Sequence, residues 1–538
     1  MIKYYLINSN FRGSQYGVGT YIRQMSEGLR STGDYDISYI NMYSTEQEFT
    51  ITHDNNGCTM YNIPAVDCDY EQYCRKVIYL LMQYIPFEEH IVFHFNFIHH
   101  DCMANMLREK YANCRIIVTV HYLSWCFALD GNYKKFKSAI RTHGQKSHKN
   151  KEVYLSYCSE QNFFRCCDEI IVLSKYTKHI LEKDYLLSAE KLHLVYNGLK
   201  GKAQYYRAET PNSILYVGRL DEIKGVEFLI KAFESIADKY PEYKLYLVGD
   251  GNFDKYISLC ESLRERVIFT GKVGRKKLKQ LYSSAAIGVL PSFHEQCSYS
   301  AIEMLQHGIP LIITDSTGLK ETLLEVPENI VHIPTGKFKK EEFVQSLAGK
   351  MDFLLSNKAI RDLQSQQMCE IFSRRYTRSR MIHNISSVVK HSFNKKDYLI
   401  PDDLYTLLDR RMYGLVDQRP DLDMDYYGLS GIGVYLWYRI CHLRYKKDIN
   451  SQLTLGELNE YMIYYLDWLW HYVQTEYYDC MIVCDELKYT LHDMKTSGFF
   501  KIRVKQLTDA LCVGNNVSCQ IDEEDIMRNT IKICNCKI

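Results

Sequence analysis

Two glutamates eight residues apart stand out in the second half of the chain. They lie in the segment Ser292-Phe-His-Glu295-Gln-Cys-Ser-Tyr-Ser-Ala-Ile-Glu303, directly after an apolar run. If Cys297 to Ser300 open a helix, the unpaired backbone amides and the helix dipole form an anion site. Glu303 would then accept hydrogen bonds from a ribose diol, and Glu295 would reach sugar hydroxyls. A capping glutamate and a surface glutamate would give the same pattern, so the segment alone leaves both interpretations open.

A pair of cations follows an earlier apolar run, in Val217-Gly-Arg219-Leu-Asp-Glu-Ile-Lys224-Gly225. Two fixed cations beside a helix start can neutralise a diphosphate and stabilise it as a leaving group. The alternative is a solvated basic turn. Flanking glycines favour the diphosphate site, because they permit close backbone approach.

The first half of the chain offers weaker candidates. A glycine-rich segment, residues 11–21, follows the first predicted strand, and Gly17 and Gly19 would let backbone amides approach phosphate or sugar oxygens. A plain strand-to-helix turn would have the same composition. His121 ends the apolar run that starts at Ile116, so it lies at the carboxyl tip of a predicted parallel strand. Three other histidines are interpreted as structural: His94, His99 and His100.

These residues need two parallel sheets to position them. Strand-like runs alternate with amphipathic segments in two series, which predicts an α/β fold with two tandem Rossmann-like domains. The first series is Lys3–Asn8, Tyr35–Met42, His90–Phe95, Arg115–His121, Glu169–Ser174 and Leu192–Tyr196. The second is Ser213–Gly218, Lys244–Gly249, Arg266–Thr270, Ala286–Pro291 and Pro310–Thr314. The predicted domains are 1–200, 201–396 and a helical appendage at 397–538, and ligands are expected at the carboxyl ends of the strands.

Composition narrows the functional classes. The 538 residues carry a formal net charge of +1, so no global charge favours nucleic acid. The 19 scattered cysteines show no paired zinc spacing and predict reduced thiols in a cytoplasmic protein. We find no signal peptide and no apolar run of about 20 residues, so any membrane contact should be peripheral.

Five motifs occur in an order that resembles glycosyltransferase family 4, of GT-B fold, over roughly residues 1–390. They are GRLDEIKG, LVGDGNF, VIFTGKV, the Glu295/Glu303 pair and HGIPLIITDSTGLKE. The resemblance implies that Arg219 and Lys224 bind the donor diphosphate and that Glu303 holds the ribose. It also implies that Glu295, with the amides near Cys297 and Ser298, contacts the transferred sugar. The remaining implied contacts are the nucleobase near Gly271–Val273, donor-loop closure at Gly17 and Gly19, and sugar positioning or electrostatic support by His121.

The same resemblance implies the reaction. It is a retaining, metal-independent transfer of a hexosyl group from a UDP- or GDP-linked donor, without a further cofactor, to a hydroxyl of a saccharide, a lipid-linked glycan or a peptide. Two alternatives remain: an epimerase or hydrolase of nucleotide sugars with the same fold, and a non-catalytic scaffold that binds sugar nucleotides. The EQCSYSAIEM block also resembles a branch of family 4 found beside peptide-maturation genes. If the chain belongs to that branch, the appendage is expected to hold a peptide or protein acceptor. Separately, the string Gly428–Gly433 resembles helix starts of lanthionine-cyclase-like proteins.

Two D-x-D patterns suggest a rival, metal-dependent GT-A enzyme. Asp67–Asp69 and Asp421–Asp425 could each bind a divalent ion on a diphosphate. Neither follows a strand of a nucleotide-binding unit, so both are interpreted as loop acids. A basic run between Lys134 and Lys151 could steer an anionic acceptor or touch an acidic lipid surface, and a solvated loop is the alternative.

Overall fold

The computed structural model describes residues 1–394 except 10–16, 87–89, 112–113, 130, 143, 146, 204–210, 264 and 335–338. Met1–Tyr185 and Lys191–Phe393 form one compact unit. The other unit, Leu186–Glu190 with Asn394–Ile538, lies outside the described residues from 395 onward. The predicted helical appendage, Asp421–Asp425 and Gly428–Gly433 all fall there.

An eight-stranded sheet organises the first half. Its strands are β1 (Ile2–Ser9), β2 (Tyr35–Ser44), β3 (Thr50–His53), β4 (Thr59–Pro64), β5 (Ile91–Phe95), β6 (Arg115–Val120), β7 (Glu169–Val172) and β8 (Leu192–Leu194). The strand order is β3-β4-β2-β1-β5-β6-β7-β8, and only β3 runs antiparallel to its neighbour. All residues of β5 and β7 are buried, as expected for parallel strands covered on both faces.

A six-stranded parallel sheet organises the second half. Its strands are β9 (Ser213–Val217), β10 (Lys244–Val248), β11 (Val267–Gly271), β12 (Ala285–Leu290), β13 (Leu311–Thr314) and β14 (Ile330–Val331). The order is β11-β10-β9-β12-β13-β14, so the connection that follows β11 crosses to the far side of β9. Ligands in such sheets bind where the strand order reverses, which here places the turns after β9 and β12 side by side.

Helices cover these sheets. The first half has α1 (Gly17–Arg30), α2 (Tyr70–Tyr84), α3 (Asp101–Lys110), α4 (Ser124–Ala128), α5 (Tyr133–Arg141), α6 (His148–Cys166) and α7 (Lys175–Lys183). The second half has α8 (Val226–Ala237), α9 (Asp254–Ile257), α10 (Arg275–Ser284), α11 (Tyr299–Gln306), α12 (Lys340–Ser356), α13 (Lys358–Arg375) and α14 (Arg378–Asn394). No helix in the described part of the chain has the length and apolar character needed to cross a membrane.

The α/β prediction with two Rossmann-like sheets is confirmed. Every predicted strand is present, with ends shifted by up to two residues. Three strands were missed: β3, β4 and β14. The side chains of β3 are largely exposed and β14 has two residues, so neither leaves an apolar run in the sequence. The domain boundaries at 200 and 396 stay predictions.

The last described helix returns to the first half. Ile382 of α14 packs so closely on α1 that a Cβ on Gly28 would lie 2.4 Å from its Cγ1. Arg378 forms an ion pair with Glu27 of α1, with 2.8 Å between Nη1 and Oε2. The segment that follows β8 and the segment between α13 and α14 are also joined. The amide of Leu199 donates to the carbonyl of Tyr376 at 2.9 Å.

A second contact joins the halves near α7. The buried carboxylate of Glu321 accepts from the amides of Lys175 and Tyr176, at 3.0 Å each, in the first turn of α7. Gln296 accepts from the hydroxyl of Ser174, the N-cap of the same helix, at 2.9 Å. A carboxylate is stabilised at a helix N-terminus, so this contact fixes part of the second half against the first.

Candidate active site

The turn after β9 brings Lys224 close to the end of β12. Gly225 adopts the left-handed region with φ +69°, and a Cβ there would lie 2.2 Å from the carbonyl oxygen of Pro291. The amide of Phe293 donates to the carbonyl of Ile223 at 2.8 Å. Only a glycine allows the two backbone segments to lie this close, so Gly225 is the local reason that the two turns touch.

Lys224 and Glu295 meet at this junction. The Nζ of Lys224 lies 2.5 Å from Oε1 of Glu295, and the two side chains are only 14% and 21% exposed. The structure therefore brings together one predicted cation and one predicted acid from separate motifs. A half-buried pair of this kind is screened less by salt than a surface pair.

The loop after β13 supports Glu295. Thr317, which has the strained φ of +30°, accepts from the Glu295 amide at 3.0 Å, and Gly318 donates to the Glu295 carbonyl at 2.9 Å. A Cβ on Gly318 would lie 1.9 Å from the carbonyl oxygen of Gln296. The STG segment of the fifth motif thus fixes the backbone at Glu295.

Arg219 lies in the same charged neighbourhood. Its Nη2 is 3.0 Å from Oδ2 of Asp221, and its carbonyl accepts from the hydroxyl of Tyr216 at 2.6 Å. Burial raises the pKa of Tyr216 well above its usual range, the carboxylates of Asp221 and Glu295 raise it further, and Arg219 lowers it. One buried phenol is thus within electrostatic reach of all three charges.

Glu303 lies in α11 and has separate partners. Its Oε2 accepts from the hydroxyl of Tyr282 at 2.5 Å. Burial raises the pKa of Glu303, whereas the Tyr282 hydrogen bond and the charges of Arg23 and Arg275 oppose the shift. Arg23 belongs to α1, so a cation of the first half acts on an acid of the second half.

Cys297 and Ser298 precede α11, as predicted. The hydroxyl of Ser298 caps the helix by accepting from the amide of Ala301 at 3.4 Å. The carbonyl of Cys297 accepts from Asn197 at 2.7 Å, and burial raises the pKa of its thiol to about 12. The Ser298 side chain therefore caps α11, and the backbone amides of this segment remain candidates for ligand contact.

The glycines and Val273 lie at element ends. Gly17 and Gly19 form the first turn of α1, and a Cβ on Gly17 would meet no atom within 4 Å. Protein packing does not demand a glycine at Gly17. Val273 follows β11 and packs on the core, next to Gly271 with φ +64°.

His121 follows β6 and is neutral. Its ring packs edge-on against Tyr21 at 4.7 Å, and its Nε2 lies 3.5 Å from Oδ1 of Asn96. Burial lowers the pKa of His121 to about 3. His94 also has its pKa lowered to about 3 by burial and lies between Tyr4 and Thr119, which fits its structural interpretation.

A row of asparagines next to His121 was missed from the sequence. Asn96 donates to Asn8 at 3.4 Å, Asn8 donates to Asn41 at 3.4 Å, and Asn41 donates to Asn62 at 2.8 Å. The row crosses β5, β1, β2 and β4 near their carboxyl ends. The sequence signal was one asparagine at the end of each strand, and strand order is needed to see them as a row.

His294 was also missed, although it adjoins Glu295. It is 6% exposed, and neither ring nitrogen has a hydrogen-bond partner among the described residues. Its ring lies 6.5 Å from that of Trp125, whose buried Nε1 is likewise unpartnered there. Burial lowers the pKa of His294 to about 4. Unpaired buried polar atoms are costly, so this spot suits polar ligand atoms.

The rival acidic and basic patterns find ordinary roles. Asp69 is the N-cap of α2, where it accepts from the amide of Gln72 at 2.8 Å. In the basic run, Lys134 and Lys135 are exposed on α5, and Lys137 lies 3.1 Å from Asp184. These positions are those of a capping acid and a solvated helix face.

Two family models match the chain. Residues 16–200 match the family described as Glycosyltransferase Family 4, and residues 211–357 match the one described as Glycosyl transferases group 1. The chain belongs to the family 4-like glycosyltransferases. This membership agrees with the resemblance found in the motifs.

Relatives of this family 4-like glycosyltransferase agree with its fold. An uncharacterized glycosyltransferase of Methanocaldococcus jannaschii is 29% identical over 212 residues, which are 36% of this chain and 52% of the relative. The chain spans about half the length of several curated relatives it matches. Sucrose-phosphate synthase of Thermosynechococcus elongatus superposes with TM-score 0.58 at 19% identity, over 74% of this chain and all of that one. The Anabaena HepE protein in complex with UDP gives 0.51 at 16%, over 73% of this chain and 100% of that one.

Proposed function

We propose that this chain transfers a sugar from a nucleotide diphosphate to a hydroxyl acceptor. The observation that carries the proposal is the Lys224–Glu295 pair, held at the carboxyl ends of adjacent strands by Gly225. A cation for a leaving phosphate and an acid for sugar hydroxyls lie side by side there. The UDP complex of the HepE neighbour supports a uridine diphosphate donor, and we keep GDP as the alternative base.

The contact between Lys224 and Glu295 suggests how a donor would bind. Their charges neutralise each other at 2.5 Å. A donor would replace this contact, with a phosphate oxygen on Lys224 and a sugar hydroxyl on Glu295. Arg219, which pairs with Asp221, would supply a second cation to the diphosphate. Fixed cations stabilise charge that develops on the departing diphosphate, so they act mainly in the transition state.

The rest of the donor would extend toward α11 and β11. Glu303 is proposed to accept the ribose hydroxyls, with Tyr282 holding its carboxylate. The amides near Cys297 and Ser298 would contact phosphate or sugar, and the base would lie near Val273. Gly17 and Gly19 are proposed to close over the donor from α1.

His121 is proposed to position the sugar by hydrogen bonding. With a pKa of about 3 it is neutral at physiological pH, so the positioning role is favoured over a cationic one. We further propose retention of anomeric configuration, a hexosyl donor, independence from a catalytic metal and action in the cytoplasm. The departing phosphate would guide front-face attack, with no protein nucleophile.

A panel of nucleotide sugars tests the proposal. The matching donor should raise the unfolding temperature of the purified chain, because ligand binding stabilises the folded state. The same donor with added acceptors should yield a glycoside, and proton NMR of its anomeric centre reports retention. Free sugar or an epimer as the main product would favour the hydrolase or epimerase alternative. Binding without turnover for every acceptor would favour the scaffold.

A truncation tests the proposed acceptor role of the appendage. Removal of residues 399–538 leaves α14 intact and should abolish transfer while donor binding persists. The acceptor would be a peptide or protein if the peptide-maturation resemblance applies, and a saccharide or lipid-linked glycan otherwise. Transfer at the wild-type rate by the truncated chain would count against this role.

A further inference from the structure

A buried glutamate at the start of β7, outside the candidate active site, contacts two histidines. Glu169 is the first residue of β7 and is fully buried. Its Oε2 lies 2.5 Å from Nε2 of His193, and its Oε1 lies 3.0 Å from Nδ1 of His391. One ligand atom from each of the three residues lies within 4.8 Å of the others.

Three separate elements supply these side chains. His193 is in β8, which pairs with β7, and it shares a sheet face with Glu169 because the register matches it to Ile171. His391 is in the last turn of α14. Its neighbour Ser392 accepts from Arg115 at 2.9 Å, and the Phe393 ring lies 5.2 Å from that of His90. The end of α14 is therefore fixed on the sheet around the three side chains.

The donor set suits a zinc ion. Imidazole nitrogen and carboxylate oxygen are common zinc ligands, and two bonds of about 2.1 Å at a tetrahedral angle separate their ligand atoms by about 3.4 Å. The contacts of 2.5 and 3.0 Å are made to different oxygens of Glu169, so a single carboxylate oxygen that binds the ion lies close to the required distance from one histidine and within 4.8 Å of the other. His391 is 47% exposed, so an ion and a water ligand can enter from its side.

We propose that Glu169, His193 and His391 form a zinc site that ties α14 to the first sheet. Zinc binds one nitrogen of each imidazole and one carboxylate oxygen, a water completes the tetrahedron, and displaced protons leave to solvent. The ion neutralises a carboxylate that is otherwise buried between two rings. This role is structural and independent of the proposed sugar transfer.

The alternative is a hydrogen-bonded cluster without metal, in which both histidines donate to Glu169. The experiment compares the full chain with a H193A/H391A double variant, each stripped with a chelator and dialysed against zinc. H383A is the matched control, because His383 is exposed on the same helix. Bound zinc and the unfolding temperature are measured for each protein.

Wild type and H383A should each bind one zinc ion more than the double variant. Zinc should raise the unfolding temperatures of wild type and H383A but not that of the double variant. Because the chain has 19 cysteines, cobalt(II) is the second probe: this site should show visible d–d bands without thiolate charge transfer. If the double variant does not fold, the single variant H391Q, at the exposed ligand, must lose the zinc-dependent stabilisation. Equal zinc in wild type and variant, an unchanged unfolding temperature of wild type, or thiolate bands alone would overturn the proposal.

Discussion

The carboxyl ends of the two sheets use different chemistry. The turns of the second sheet contain glycines and carry three charged side chains that form short ion pairs: Lys224, Glu295 and Arg219. In the first sheet, His121 is neutral and adjoins a row of asparagine amides. Charge suits a diphosphate that must leave, whereas neutral amides suit a hydroxyl that must be oriented. The comparison predicts that substitutions of the charged residues of the second sheet act on donor turnover or donor binding and that substitutions in the asparagine row act on acceptor affinity.

The largest expected effect is that of Lys224→Ala. Losing a cation that stabilises the departing diphosphate should lower kcat by about 10²–10³-fold and weaken donor binding much less. Steady-state kinetics and donor titration measure the two effects. Lys231→Ala is the control, since Lys231 pairs with Glu227 on the exposed side of α8 at 2.7 Å. Equal losses in turnover and binding would contradict the leaving-group role.

Gly225→Ala should destabilise the second sheet more than Gly271→Ala. Both glycines have φ near +65°, but only at Gly225 would a Cβ meet a backbone atom, at 2.2 Å, whereas Gly271 has open space. We expect a loss of about 3 kcal/mol in the free energy of unfolding at Gly225 and about 1 kcal/mol at Gly271. Urea denaturation gives both values. Similar losses would mean that the turn can move away from Pro291.

Asn96→Ala tests the first sheet. It removes one neutral hydrogen-bond partner beside His121, so the KM for acceptor should rise about tenfold with donor affinity unchanged. Asn62→Ala, at the far end of the row, should have a smaller effect. If Asn96→Ala instead lowers donor affinity, the asparagine row belongs to the donor site and the contrast between the sheets fails.

The smallest effect is a pH dependence at Glu303. Burial raises the pKa of Glu303, so as pH falls its carboxylate is protonated at a higher pH than an ordinary glutamate. Donor affinity should therefore fall on acidification, about tenfold if the ribose bonds are lost. The folding stability of the protein without donor depends on pH in the opposite direction. Because the pKa of this buried acid is raised in the folded state, the free energy of unfolding decreases as pH rises. Glu303→Gln should make donor affinity independent of pH in this range, and titrations at several pH values check it.

The contact between Lys224 and Glu295 could be anticipated from the sequence, whereas the asparagine row could not. Lys224 and Glu295 could be found because each lies in a motif with a fixed distance from a strand. The asparagine row depends on the order β4-β2-β1-β5, which a local pattern does not contain. The Glu169–His391 contact joins residues 222 positions apart, so spacing could not reveal it. His294 was within reach, since it adjoins Glu295, but its lack of partners is a property of packing.

The return of α14 to the first half affects how the protein can be made. The face of α1 around Gly28 is covered by Ile382, which is synthesised more than 350 residues later. Domains usually fold in order as they leave the ribosome. Here the apolar face of α1 in the N-terminal half stays uncovered until nearly all of the second half has been synthesised. A fragment ending near residue 200 should consequently aggregate or recruit chaperones during synthesis.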